Sequence, residues 1–211
     1  MNKIAIIGSG GLGRETLAMI RQINSVTPAW EVVGFFDDNM PKGSTVNKMP
    51  VLGKVEDITA SDNFYVVMAV GTPVHKEAIS KRINPSARFA TLIHPTAVVA
   101  DPEYVSIGEG CILTAGSRIT TNIILGKHVL LNLNATVGHD SKIGDFCSVM
   151  PGANVAGYIE IGQSVLIGSC AAVINESKVG RGAKIGSGAV VISDIEEYAT
   201  AVGVPARIVK K

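Results

Sequence analysis

IGEGCILTAGSRITTNIILGKHVLLNLNATVGHDSKIGDFCSVMPGANVAGYIEIGQSVLIGSCAAVINESKVGRGAKIGSGAVV, residues 107–191, repeats with a period of six. Steps of six from Ile107 meet Leu113, Ile119, Leu125, Leu131, Val137, Ile143, Val149, Val155, Ile161, Ile167, Val173, Val179, Ile185 and Val191, each an Ile, Leu or Val. The following position is Gly in eight of the fourteen complete repeats: 108, 126, 138, 144, 162, 168, 180 and 186. The fifth position is small or β-branched, from Cys111, Ser117 and Ile123 onward to Ala189. A period of six matches neither an amphipathic helix nor a half-buried strand. It fits a short strand and a tight turn, repeated, with the aliphatic anchor pointing inward and Gly relieving steric restriction at the turn.

Three such units closing a triangular coil stack the anchors 18 residues apart. One column is then Ile107, Leu125, Ile143, Ile161 and Val179, and another is Ile119, Val137, Val155, Val173 and Val191. Continuous aliphatic ladders are how a quasi-one-dimensional solenoid buries its core, so the expected fold here is a parallel β-helix. The crossover rule for parallel strands does not give its hand. The repeats are expected to begin near Ile93 and Val99, with two extra residues in DPEYVS before Ile107, and to end near Ser193. IEEY then reads as a short turn and GVPARIVKK closes the chain.

Residues 3–7, KIAII, read as a buried strand running into Gly8-Ser9-Gly10-Gly11-Leu12-Gly13, followed by the helical stretch RETLAMIRQI. A second strand is expected over 31–36, ending in Asp37 and Asp38. A third, over 64–70, ends in Gly71 and Thr72 before a helix over 74–83. The order β-α-β-β-α implies a small parallel sheet. Gly8, Gly10 and Gly13 match GxGxxG between strand and helix, where backbone N–H groups can approach a phosphate. Gly10, Gly11, Asp37, Asp38, Gly71 and Thr72 are therefore candidate nucleotide contacts. Three readings of this turn stand: NAD(P), another nucleotide or nucleotide-sugar, and a structural turn. Only about 90 residues precede the repeats, and no hydride-transfer site is visible, which argues against the first.

The 211 residues carry a formal net charge of +1 with 18% charged residues. Nucleic-acid binding, which requires an excess of basic charge, is not expected. No run is long and apolar enough to suggest a membrane span, no leader pattern opens the chain, and the cytoplasm is the expected location. Cys111, Cys147 and Cys170 lack the spacing of a metal site and read as small buried residues, so no metal is expected.

GSGGLGRE, the FFDD strand end, VLG at 51–53, AVG at 69–71, VGHD within the repeats and the terminal GVPAR occur here in order. Over the whole chain this set resembles the sugar O-/N-acyltransferases related to the sialic acid O-acetyltransferase NeuD and the bacillosamine acetyltransferase PglD. The resemblance implies a mixed fold: a small N-terminal α/β, Rossmann-like parallel-sheet domain over 1–90 that binds a nucleotide-sugar, then a left-handed parallel β-helix of hexapeptide repeats over 91–211. It implies a homotrimer with active sites between subunits and acetyl-CoA as co-substrate in the groove between neighbouring β-helices. His139 takes the position of the general base, Asp140 follows it, and Asn132, seven residues earlier, is an acceptor contact. Gly157, Ser169, Ser187, Arg207 and Lys210 are assigned to acetyl-CoA. Leu12 and Ser148 stand where some relatives carry histidine.

The chemistry agrees with the residues. Acetyl transfer from a thioester needs a base for the nucleophile and a donor for the developing oxyanion. His139 lies at the third position of its repeat, off the inward anchor, and Asp140 can orient its imidazole. One coil on, about 4.8 Å away, comes Gly157, whose N–H is the expected oxyanion donor. Lys178, Arg181, Lys184, Arg207, Lys210 and Lys211 lie further along and suit CoA phosphates. The leading reading is N-acetylation of a nucleotide-linked amino-sugar in surface glycan synthesis. The alternatives are O-acetylation of sialic acid or a similar sugar, and a non-catalytic scaffold. A zinc anhydrase on such a helix would need three convergent histidines, and none are spaced for it.

Overall fold

The computed structural model describes residues 1–59, 62–174 and 176–210. In the N-terminal unit β1 (Asn2–Ile7) leads to α1 (Gly11–Val26) and then β2 (Trp30–Phe36), β3 (Thr45–Val46), β4 (Met49–Gly53), β5 (Tyr65–Met68), α2 (Pro73–Ser80) and β6 (Arg88–Phe89). The sheet order is β3-β4-β2-β1-β5-β6, parallel except for the β3–β4 pair. The short strands β3, β4 and β6 carry too little periodicity to be read from sequence, and α2 starts one residue before and ends three before its expected bounds.

From Leu92 the chain winds into three parallel faces. The first carries Leu92–Ile93, Ile112–Leu113, Leu130–Leu131, Ser148–Val149, Leu166–Ile167, Lys184–Ile185 and Thr200–Val202. The second runs from Val98–Val99 through Thr136–Val137 to Val190–Val191, and the third from Val105–Ile107 through Lys142–Ile143 to Lys178–Val179. Strands pair at the expected 18-residue register, as in Leu113↔Leu131 and Val137↔Val155. Ile112↔Leu92 differs by 20 where Ile123↔Val105 differs by 18, which locates the two extra residues before Ile107. All the anchors but the half-buried Ile107 are buried, and so are the fifth-position residues from Cys111 to Ala189, giving one continuous core.

Three expectations are corrected. The helix does not stop near Ser193: Val179 bridges Ile195 and Lys184 pairs with Thr200, so a last coil shortened to 16 residues carries the first face to Val202. The Gly after each anchor does not supply a left-handed turn. That conformation falls on the fourth position, at Asn122, His128, Asn134, Asp140, Phe146 and Tyr158 among others. The second-position Gly instead permits contact between coils: a Cβ on Gly144 would lie 2.7 Å from the Gln163 nitrogen, and one on Gly168 2.6 Å from that of Ser187. Finally, Cys111 and Cys147 are buried but Cys170 is exposed, because it occupies the left-handed fourth position, which points outward.

The N-terminal unit covers the first face. Outward-pointing Leu92, Ile112 and Leu130 join Ile4, Leu17, Met19, Phe35 and Val67 in one apolar cluster. His94 Nε2 meets Gln22 Oε1 at 2.8 Å, and Glu77 Oε1 accepts from Arg181 at 3.0 Å. No helix among the described residues is long and apolar enough to cross a membrane.

The two glycine classes are separable by mutation. Gly144→Ala is expected to cost about 1–3 kcal/mol from overpacking between coils. Gly188→Asn, at φ +68 with open space around its Cβ, should stay within about 1 kcal/mol of wild type because Asn tolerates the left-handed region. Denaturant unfolding of both variants measures the difference.

Candidate active site

The second face ends its strand at Thr136–Val137, and Gly138 lies against the next coil, where a Cβ would come within 2.7 Å of the Ala156 carbonyl carbon. The chain then turns the edge between the second and third faces through His139 and Asp140, the latter at φ +57. His139 Nδ1 lies 2.9 Å from Asp140 Oδ2, and Asn122, one coil earlier, donates to Asp140 Oδ1 at 3.1 Å. Nδ1–H donation to the carboxylate leaves the Nε2 lone pair free to take a proton. The imidazole is 49% exposed. It lies directly over Gly157, where any Cβ would come within 2.7 Å of Nε2 and Cε1. Tyr158 meets the ring edge-on at 5.1 Å. Asn122 and Tyr158 were not singled out from sequence, although the column 122–140–158 follows from the 18-residue register.

A second set of groups gathers at the carboxyl ends of β1, β2 and β5, where an open α/β sheet takes its ligands. Gly13 packs on Gly8, whose carbonyl would overlap a Cβ there, while Gly10 and Gly11 face open space at the start of α1. Gly71 and Thr72 lie across from them at the start of α2, with no side chain capping either helix. A cleft of about 310 Å³ between α2 and the chain that follows β2 is lined by Gly8, Asp37, Asp38, Val70, His75 and Arg82, among others; Gly10, Gly11, Gly71 and Thr72 are not part of its lining.

Asp37 Oδ2 accepts from Ser9 N–H at 2.7 Å and from Ser9 Oγ at 2.6 Å. Partial burial opposes its ionisation, but the bonds from Ser9 and Asn39 outweigh it and hold the carboxyl below its usual value. For Asp38 burial is likewise outweighed, by Arg82 and the Val55 N–H. Both carboxylates are thus ionised and already partnered, Asp38 by an ion pair to Arg82 at 2.8 Å. The sequence does not single out Ser9, His75 or Arg82; the last two carry no motif, His75 reaching the cleft from the face that α2 presents and Arg82 from the turn after the helix.

Asn132 is buried on a different edge, between the first and second faces, where its Oδ1 accepts from Leu133 N–H. With Leu12, Glu15, Met19, Gln22 and His94 it lines a cavity of about 230 Å³ against α1. Ser169 and Ser187 follow on the same edge in later coils. The chain therefore brings His139, Asp140 and Gly157 together on one edge, and Asn132 with α1 on another. Arg207 and Lys210 lie on the exposed strand Arg207–Lys210. Lys178 pairs with Glu160 and Arg181 with Glu77, so those two cations are committed within the chain. Lys211 lies outside the described residues. Among the described residues no cluster of His, Cys, Asp or Glu is placed to hold a metal.

Residues 3–83 match the family model of the PglD N-terminal domain. Over 148 residues the chain is 32% identical to a GDP-perosamine N-acetyltransferase of Escherichia coli O157:H7, covering 68% of this chain and 65% of that enzyme, a little under two thirds of its length. The acetyltransferase domain of PglB from Neisseria gonorrhoeae FA1090, in complex with acetyl coenzyme A, superposes with a TM-score of 0.87 at 30% identity, over 99% of each chain. PerB from Caulobacter crescentus, in complex with CoA and GDP-perosamine, gives 0.87 at 25% identity over 99% of this chain and 97% of that one.

The Asp140 contact makes a prediction about tautomer. At a pH where the ring is neutral, nitrogen-15 NMR should find the His139 proton on Nδ1 in the wild type. In Asp140→Ala it should move largely to Nε2, the form favoured without a carboxylate partner.

Proposed function

This chain belongs to the family of sugar acetyltransferases with a PglD-type N-terminal domain, and on that premise we propose that it transfers the acetyl group of acetyl-CoA to the amino group of a nucleotide-linked amino-sugar. The observation that carries this reading is the His139–Asp140 pair, with Nδ1 held at 2.9 Å and the ring half-exposed on a bare glycine backbone. Such a dyad offers a base to an incoming nucleophile and leaves room for a thioester beside it.

In the proposed reaction the nucleotide occupies the cleft beside α2 and extends its phosphates beyond that cleft toward Gly10, Gly11 and Thr72. The sugar amine attacks the thioester carbonyl directly. A C–N bond forms and the C–S bond breaks. His139 Nε2 takes the proton from the amine and returns it to the departing CoA thiolate, while Asp140 steadies the imidazolium. The Gly157 N–H serves the oxyanion. Ser169, Ser187, Arg207 and Lys210 are the proposed contacts to CoA.

Because Asn132 and His139 stand on different edges, we assign the complete site to a junction between copies of the chain, as in a homotrimer. Exposed Leu133, Tyr158, Ile174 and Ile192 along the two edges of the second face support packing there. The nucleotide cleft favours a nucleotide-linked acceptor over free sialic acid, and so do the relatives that act on or bind GDP-perosamine. The product fits surface glycan synthesis from cytoplasmic acetyl-CoA.

A thiol-release assay with acetyl-CoA against GDP-, UDP- and dTDP-linked amino-sugars and free sialic acid tests the reading. Wild type should turn over one nucleotide-linked amine, and His139→Ala should lose about 10²–10⁴-fold in kcat while still binding acetyl-CoA. Turnover of sialic acid alone would make the chain an O-acetyltransferase. Neither turnover nor acetyl-CoA binding would leave a scaffold.

A further inference from the structure

Helix α2 has two working faces. His75, Ala78 and Ile79, with Arg82 from the turn that follows, line the nucleotide cleft, and Lys76 and Glu77 turn toward the β-helix. Lys76 is 1% exposed, the only lysine among the described buried residues. Its Nζ donates to the main-chain carbonyl of His128 at 2.8 Å and to that of Cys147 at 2.9 Å. Next to it, Glu77 accepts from Ser164 Oγ at 2.6 Å and from Arg181 at 3.0 Å. His128, Cys147, Ser164 and Arg181 belong to four successive coils of the edge between the third and first faces. Two adjacent residues of one short helix thus grip four coils.

Lys76 is enclosed by buried groups. Phe89 meets the His128 ring edge-on at 4.5 Å and Phe146 stacks on it at 5.2 Å. Burial, with Lys76 nearby, pushes His128 down to about 4, and its Nδ1 has no partner among the described residues. Burial pushes the thiols of Cys111 and Cys147 up to about 11 and about 12. Glu109, Lys127 and Asp145 stand further out as rim charges acting on His128, and none of the ion pairs among the described residues includes Lys76. Burial brings its own ammonium down to about 7.

An unpaired buried ammonium is a costly way to stabilise a junction, and an apolar side chain of similar volume would pack it at less expense. What the amine adds is direction. Two donors on two carbonyls fix both the height and the rotation of α2 against the β-helix, which apolar contact alone leaves free to slide. The nucleotide cleft is on the opposite side of that helix, about 10 Å away. We propose that Lys76 is a positioning residue, fixing through the His128 and Cys147 carbonyls where the nucleotide cleft stands relative to the β-helix that carries His139. This rests on the reaction proposed above. A neutral amine still has two N–H groups, one for each carbonyl, so the junction holds on both sides of pH 7.

The sign of the pH dependence follows. The folded value of Lys76 lies below its unfolded value of about 10.4, so above pH 7 the unfolded chain holds the extra proton and stability climbs with pH. Above about pH 8.5, where unfolded thiols ionise, the raised values of Cys111 and Cys147 act in the opposite sense. Below about pH 7 the depressed His128 also adds stability as pH rises, so the window that reads Lys76 is about pH 7–8.

Lys76→Met in the full chain tests the proposal. With the nucleotide-linked amine that wild type turns over, KM for both substrates should stay within about two-fold while kcat falls about ten- to a hundred-fold, as a misplacement of about 1 Å would produce. Unchanged kcat overturns the proposal. If wild type turns over no such amine, the reaction reading has failed, and amide hydrogen exchange decides: faster exchange in α2 of the variant supports the clamp, and unchanged exchange overturns it. Denaturant unfolding gives a second readout, with wild type gaining stability from about pH 7 to 8 and the variant not. Should the variant not fold, the wild-type profile stands alone as the test, and a flat one overturns the proposal.

Discussion

The Leu130 N–H donates to the Cys147 carbonyl seventeen residues on, Asn132 to Val149, Thr136 to Ala153 and Lys142 to Ile159. These bonds between coils hold the 18-residue register, and the side chains follow from it. A strand of two residues satisfies few of its own polar groups, so a coil is stable only when the next coil completes its hydrogen bonds and covers its apolar anchors. That requirement brings backbones into contact at the second position of each repeat and forces the fourth into the left-handed region. Even Phe146, Tyr158 and Tyr198 adopt it there, although the conformation costs an L-residue about 1–2 kcal/mol. The strain is local and the ladder overrides it.

The period was legible because it is written in the residue types that the ladder selects: aliphatic anchors, small fifth positions, glycines. The physical task of those glycines was not, since a Gly required by a close neighbour and a Gly required by φ look alike in a sequence. The last coil is hidden in the sequence for a related reason. A two-residue deletion breaks the count of six at Ile195, and only the pairing of Lys184 with Thr200 restores it. The His139–Asp140 pair was visible as neighbours in the chain. Asn122 behind Asp140 is a neighbour only across coils, and Lys76 is linked to its two carbonyls at separations of 52 and 71 residues, where no local pattern reaches.

The N-terminal unit also left a trace. Along the first face the residue before the anchor points outward, and Leu92, Ile112 and Leu130 are apolar there, whereas the second face shows Arg118, Thr136 and Asn154 and the third Lys142, Glu160 and Lys178. Leu92, Ile112 and Leu130 are covered by the α/β unit, whereas the outward Val98 and Ile124 of the other two faces are exposed. Ser148 is polar but still fully buried, Leu166 follows half-buried, and the outward position of the first face becomes charged and exposed at Lys184. The junction is thus an extension of both cores, with Lys76 and Glu77 supplying the polar contacts that apolar burial does not specify.

A coil of this kind leaves few places for chemistry. Strand positions point into the core or straight out from a flat face, so a side chain that must be held beside a reacting atom belongs on an edge, where the repeats turn through a left-handed residue. Asp and Asn enter that region at least cost among residues with a Cβ. At His139 the turn residue is Asp140, and one coil earlier it is Asn122, each at positive φ. The residue that satisfies the turn therefore also supplies the carboxylate for the imidazole, and the turn below supplies the amide that holds the carboxylate. The orientation of His139 is fixed by the same main-chain register that builds the core, so no separate loop has to be ordered around it.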